Sequence, residues 1–152
     1  EGEGSTKAGW VMAGLTLDAG ALIAFERNDR RVVGLLARAL AHRQSIAIPA
    51  GVVAQVWRSG RRQVPLARLL GASCVEVVPL DDFESRRAGQ LCGARGTRDV
   101  IDASVMVCAQ ERRHRVLTSD PEDLRALDPK AELIAVGGHA RTLAPPARET
   151  GG

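Results

Sequence analysis

Three segments of this 152-residue chain each set an aspartate where one structural element gives way to another. Leu15-Thr16-Leu17 reads as a strand; Asp18 follows it, and Ala19 to Phe25 then reads as a helix. Asp99 and Asp102 stand three apart, a spacing that places both on one face of a helix's first turn, and apolar Ile101, Val105 and Cys108/Ala109 follow at helical spacing for a face turned to a core. Asp120 comes after the strand-like Arg115–Thr118 and the hydroxyls of Thr118 and Ser119. Taken singly, each acid has a plain role: Asp18 and Asp99 as N-caps, Asp102 as the N3 partner of Asp99. Taken together they imply more. In a parallel sheet the carboxyl ends of all strands lie on one edge, so Asp18 and Asp120 share it, and a helix leading into such a strand opens there too, bringing Asp99 and Asp102. Carboxylates gathered in this way repel unless a cation offsets them. Oxygen donors without thiolate or imidazole suit Mg²⁺ or Mn²⁺, ions that clamp phosphoryl oxygens and activate a bound water.

Elements able to position these acids follow from hydrophobic period and punctuation. Asp29–Arg43 is amphipathic, with apolar Val32, Val33, Leu35, Leu36, Ala39 and Leu40 and an arginine-rich outer face. Ser45–Ile48 is a second strand, and the spacing predicts helices over Ala50–Arg58 and Pro65–Leu70. Val75–Leu80 is a third strand, followed by a helix from Asp81/Asp82 toward Ala94, the Asp99 helix, the Arg115–Thr118 strand, a short helix at Glu122–Leu127 and a last strand at Glu132–Val136. Strands alternating with helices predict an α/β fold: a three-layer α/β/α domain with a mostly parallel central sheet and right-handed crossovers. Residues 12–136 hold this domain. Residues 1–11 read as a vector-derived remnant or disordered leader ahead of Met12, and residues 137–152, rich in Gly, Pro and Ala, as a flexible tail.

Composition narrows the function classes. The net charge of +3, with arginine as the main cation, permits a polyanionic partner without requiring one. Cys74, Cys92 and Cys108 are far apart and form no CxxC, so they read as small core residues rather than zinc ligands or disulfide partners. His42, His114 and His139 are equally scattered. No apolar run has the length of a membrane span and no signal peptide is evident, which points to the cytoplasm and away from membranes.

Four stretches, Leu17–Arg27 (LDAGALIAFER), Pro49–Arg58 (PAGVVAQVWR), Asp99–Ala109 (DVIDASVMVCA) and Val116–Leu127 (VLTSDPEDLRAL), together resemble the PIN-domain ribonucleases, specifically VapC-type toxins of toxin–antitoxin pairs. The resemblance runs along residues 14 to 136. It implies a metal-dependent endoribonuclease using Mg²⁺ or Mn²⁺, with Asp18, Asp102 and Asp120 as the catalytic and metal-holding acids and Asp99 as an auxiliary carboxylate. Thr118 and Ser119 fit hydroxyl positions that orient the last acid or the water. It also implies an RNA substrate, a VapB-type antitoxin partner and a homodimer. In one place the chain departs from the pattern: Gln55 stands where the family usually has Glu, and a neutral amide offers a carbonyl oxygen but no base. Arg58, Arg61, Arg62, Arg95 and Arg98 are candidates for holding the RNA backbone. A catalytically weak or inactive PIN-like module that binds RNA or a partner protein is the alternative, and Gln55 is its main support. A phosphoacceptor domain of response-regulator type fits poorly, since Asp18 has no acidic neighbour and Lys130 lies outside any strand end. A haloacid-type phosphatase fits no better, because Gly20 occupies the place of its second Asp.

Overall fold

The computed structural model describes residues 13–136; the expectations for residues 1–11 and 137–152 fall outside the described residues. The chain runs β1 (Leu15–Leu17), α1 (Ala19–Glu26), α2 (Arg30–Ala41), β2 (Ile46–Pro49), α3 (Ala50–Val56), α4 (Val64–Leu70), β3 (Val75–Val78), α5 (Asp82–Arg95), α6 (Val100–Arg112), β4 (Arg115–Thr118), α7 (Pro121–Leu127) and β5 (Leu133–Ala135). All five strands are parallel, in the order β3-β2-β1-β4-β5. β1 is therefore central, and every one of its residues is buried, as are all four of β2. Strands covered on both faces lose the alternation of a half-exposed sheet and read as short unbroken apolar runs.

Helices cover both faces and complete the three layers. α6 lies across β1, β2 and β4 and carries α5 and α7 against it; α1 packs on α2, α3, α4 and β4. The seven consecutive residues Ala103 to Ala109 of α6 are all buried, so the single core face expected from Ile101, Val105 and Cys108/Ala109 widens to the whole circumference, because the sheet, α5 and α7 enclose the helix. α2 behaves oppositely, burying Val32, Leu36 and Ala39 and turning its arginines outward. Local signals set the helix ends. The Asp29 carboxylate accepts from the N–H groups of Arg31 and Val32, and Asp81 accepts from Glu84 N–H. α5 stops at Gly96, whose φ of 70° is the left-handed region that glycine enters without a Cβ penalty.

Some boundaries are tighter than the sequence predicts. α3 ends at Val56, so Trp57 and Arg58 belong to a loop, and β3 ends at Val78. Cys92 and Cys108 are buried as expected, whereas Cys74 is partly exposed. Among the described residues no helix is long and apolar enough to cross a membrane.

Candidate active site

β1 and β4 are neighbours in register, with Leu17 opposite Leu117, and the Asp18 N–H extends this ladder by bonding Leu117 O at 3.2 Å. That pairing carries Asp18 and Asp120 to the same edge. Asp18 caps α1: its Oδ1 accepts from Ala21 N–H at 2.8 Å, and the residue is 6% exposed. Burial pushes the Asp18 carboxyl above its usual range. Hydrogen bonds from the Thr118 hydroxyl and from the Ala21 and Ser119 backbone oppose the rise, and the nearby Asp120 charge adds to it. Thr118, itself fully buried, also accepts from Asp120 N–H through Oγ1 at 2.9 Å. One hydroxyl thus touches both strand-end acids. The Ser119 side chain packs where a Cβ on residue 20 would stand, so Gly20 is what lets the first turn of α1 come against it.

α6 opens at the same edge. Asp99 is its N-cap, and its Oδ1 accepts from Asp102 N–H at 2.9 Å, so the plain capping role is real. Asp102, half-buried, bears the strongest perturbation among the site acids. Its pKa is pushed up to about 7, first by burial, then by the Asp99 charge and a carboxyl–carboxyl hydrogen bond with Asp99, then by the charges of Asp18 and Asp123. Capping and convergence therefore coexist in the same residues.

Asp123, on the first turn of α7, is an acid that sequence reasoning passed over. It lines a cavity of about 200 Å³ together with Arg95, Thr97, Asp99, Asp102, Ala126 and Leu127. The signal was present, two acids in the first turn after Pro121, but Glu122 and Asp123 there match ordinary helix-dipole preference.

The remaining sequence candidates divide. Arg95 lines the acid cavity, and Arg98 is exposed in the turn leading to Asp99. Gln55 is exposed on α3, which packs between α1 and α6. It lies one turn after Gly51, whose missing Cβ makes room for Ile101 of α6, so both residues share the face turned toward the α6 N-terminus. Arg58, Arg61 and Arg62 lie elsewhere. Their loop is fastened to Glu26, the last residue of α1, at the opposite end of that helix from Asp18. As candidates for holding the RNA backbone they therefore stand apart from the acids, because α3 packs on α1 and ends beside Glu26.

The donor chemistry at the edge fits a hard divalent cation: carboxylates only, with no thiol or imidazole among them, and two of them, Asp18 and Asp102, raised in pKa by burial first and by neighbouring acids second. Among the described residues no three acidic, imidazole or thiol groups stand close enough together to form a ready coordination shell.

The PIN domain family matches residues 15–129 of the chain. No curated protein sequence matches it significantly. In fold it is similar to a chain of VapBC2 from Rickettsia felis, crystallised with a DNA fragment from the promoter, at a TM-score of 0.61 and 16% identity over 80% of this chain and 98% of that one. It is likewise similar to a chain of the FitAcB structure from Neisseria gonorrhoeae, at a TM-score of 0.57 and 18% identity over 79% and 96% of the two chains. PAE2754 from Pyrobaculum aerophilum matches at a TM-score of 0.53 and 20% identity over 80% of this chain and 83% of that one. A parallel five-stranded α/β/α domain with acids at the strand carboxyl edge, matched by the family over most of its length, places the chain in the PIN domain family.

Proposed function

We propose that this protein is a metal-dependent endoribonuclease, the toxin component of a type II toxin–antitoxin system acting in the cytoplasm. The observation that carries the reading is the convergence of Asp18, Asp99, Asp102, Asp120 and Asp123 on one edge, where burial first, and then the charges of Asp99, Asp18 and Asp123, push Asp102 up to about 7. Such crowding is costly in an apo protein and is relieved by a cation. Asp18, Asp102 and Asp120 would hold Mg²⁺ or Mn²⁺, with Asp99 as a further carboxylate. When bound, such an ion polarises a phosphoryl oxygen and lowers the pKa of a coordinated water.

The chain's own groups do the rest. Thr118 fixes the Asp18 carboxylate and the Asp120 backbone, and Ser119 packs beside them. Asp99 holds the first turn of α6 and orients Asp102 through its backbone N–H. Arg95, in the wall of the acid cavity, binds the RNA backbone there, and Arg98 assists from the adjoining turn. Gln55 stays at the site's margin as a neutral hydrogen-bonding group or weak ligand.

Supporting the toxin assignment are the VapBC2 and FitAB structures among the chains of similar fold. By that likeness a VapB-type antitoxin is the partner; a homodimer of this chain rests on the family resemblance of the sequence alone. The second reading, a weak or inactive PIN-like module binding RNA or a protein, is favoured by one observation, the neutral Gln55. Incubating the chain with a pool of structured RNAs in Mg²⁺, Mn²⁺ or EDTA separates the two. Cleavage that needs the metal and is lost in Asp102→Asn is the expected result; intact RNA under every metal condition from folded, antitoxin-free protein would favour the binding module.

A further inference from the structure

Charge is unevenly divided along the chain. Residues 19–71 hold nine arginines and only two acids, Glu26 and Asp29. Among the described residues none of those nine arginines forms an ion pair; the pairs present all join residues between Glu76 and Glu132. All nine are exposed, and six of them, Arg27, Arg30, Arg31, Arg58, Arg61 and Arg62, come from two segments about thirty positions apart.

A buried glutamine joins those segments. Gln63 is 8% exposed. Its Oε1 accepts from Arg58 N–H at 2.7 Å and Ser59 N–H at 3.0 Å. Its Nε2 donates to both Glu26 carboxylate oxygens at 3.1 and 3.0 Å and to Val56 O at 2.9 Å. The amide therefore pins the 57–62 loop against the end of α1, beside Arg27 and the start of α2. Both local acids are engaged, Glu26 by Gln63 and Asp29 by the N–H groups it caps. Trp57 adds an aromatic surface: it is 37% exposed, and Gly60 passes close to its ring.

We infer that this corner is a second nucleic-acid contact, a phosphate-binding clamp for single-stranded RNA lying a few nucleotides from the acid edge. Arginines without ion-pair partners, on segments that flank an exposed aromatic ring, are the combination that binds single strands, the cations tracking phosphates and the ring stacking a base. One guanidinium nitrogen of Arg58 also donates to Ala54 O and Trp57 O. α1 has eight residues and so spans about 12 Å, with Asp18 capping one end and Arg27 the other. RNA passing the acids must continue along the helix to reach the clamp, so long strands gain a contact that short ones cannot make. The inference rests on the RNA reading of the acid edge and assigns that substrate a second point of attachment.

The test measures binding by fluorescence anisotropy in Asp102→Asn protein, with labelled single-stranded RNAs of about four and about twelve nucleotides. Replacing Arg27, Arg30 and Arg31 by Gln is expected to weaken the long RNA at least tenfold and the short one less than twofold. The salt slope for the long RNA should fall by about 2, as for three lost phosphate contacts on a single strand. Equal loss for both lengths, or unchanged affinity and slope, would overturn the inference. So would a polyglutamate peptide binding the corner more tightly than the long RNA, which would assign it to an acidic protein partner. Circular dichroism of the triple variant checks folding, and its three sites are exposed surface positions. Cleavage of RNA by the parent chain is scored separately: cleavage without the length effect removes the clamp alone, and the length effect without cleavage removes the nuclease reading alone.

Discussion

The two ends of α1 are built by opposite means. At its start, Asp18 is buried and hydrogen-bonded beside other acids, and the pKa values of Asp18 and Asp102 rise, first because burial strips them of water and then because like charges stand near. At its finish, cations stand in solvent, and the buried group is a neutral amide with all its hydrogen-bonding capacity in use. One end holds like charge together against repulsion and so is poised for a counter-ion. The other spreads charge where water screens it and uses Gln63 only to hold the backbone. Residues with chemistry to perform are thus found by their electrostatic cost, and residues that recognise a polyanion by their lack of ion-pair partners.

The sharpest way to break this contrast is to neutralise the acid end. Asp102→Asn is expected to reduce RNA cleavage by about 10²–10³-fold, read as initial rates in saturating Mn²⁺, while Arg61→Gln lowers it far less. At the other end, Gln63→Ala leaves two backbone N–H groups and the Val56 carbonyl without their partner. We expect a loss of about 2 kcal/mol and a melting temperature lower by roughly 4–8 °C, measured by calorimetry. An unchanged melting temperature would show that the loop does not depend on the amide. Gln55→Glu restores a charged donor beside α6 and should tighten Mn²⁺ binding by about tenfold; equal affinity in a titration would remove Gln55 from the site.

The smallest effect is in pH. Asp102 in the folded chain keeps a proton up to about 7, whereas the unfolded chain loses it at about 4. The folded state therefore binds more protons across that window, and metal-free stability falls as pH rises through it. Asp102→Asn removes the penalty. At pH 8 in EDTA it should be more stable than the parent by about 1–2 kcal/mol after solvent screening of a half-buried group, with the difference gone at pH 4. Thermal melts at the two pH values check this.

Much of the acid end was legible in sequence. A strand ending on Asp18 and another followed by Asp120 fix two acids to one edge as soon as the sheet is parallel, and the first turn of α6 brings the others by topology alone. The boundaries of β1 and β4 were equally plain and β2 lies one residue later than expected, at Ile46–Pro49, because buried strands are short apolar runs between breakers. The arginine corner was not legible. Arg58, Arg61 and Arg62 are close in sequence to Gln55, and only the fold shows α3 packed on α1 and the loop after it fastened to Glu26. Gln63 looks like any surface glutamine, since nothing in its neighbours signals that four residues will bond to it. Asp123 was hidden by a sufficient local explanation, its place in the first turn of α7.

The central claim is that the acids of the carboxyl edge form one cation site. Isothermal titration of Mn²⁺ into the metal-free chain and into Asp102→Asn tests it without reference to any RNA. We predict one site per chain in the parent and no measurable binding in the variant at the same concentrations. Equal binding by both would show that Asp102 is raised by its neighbours for structural reasons alone and that the acid edge is not a metal centre.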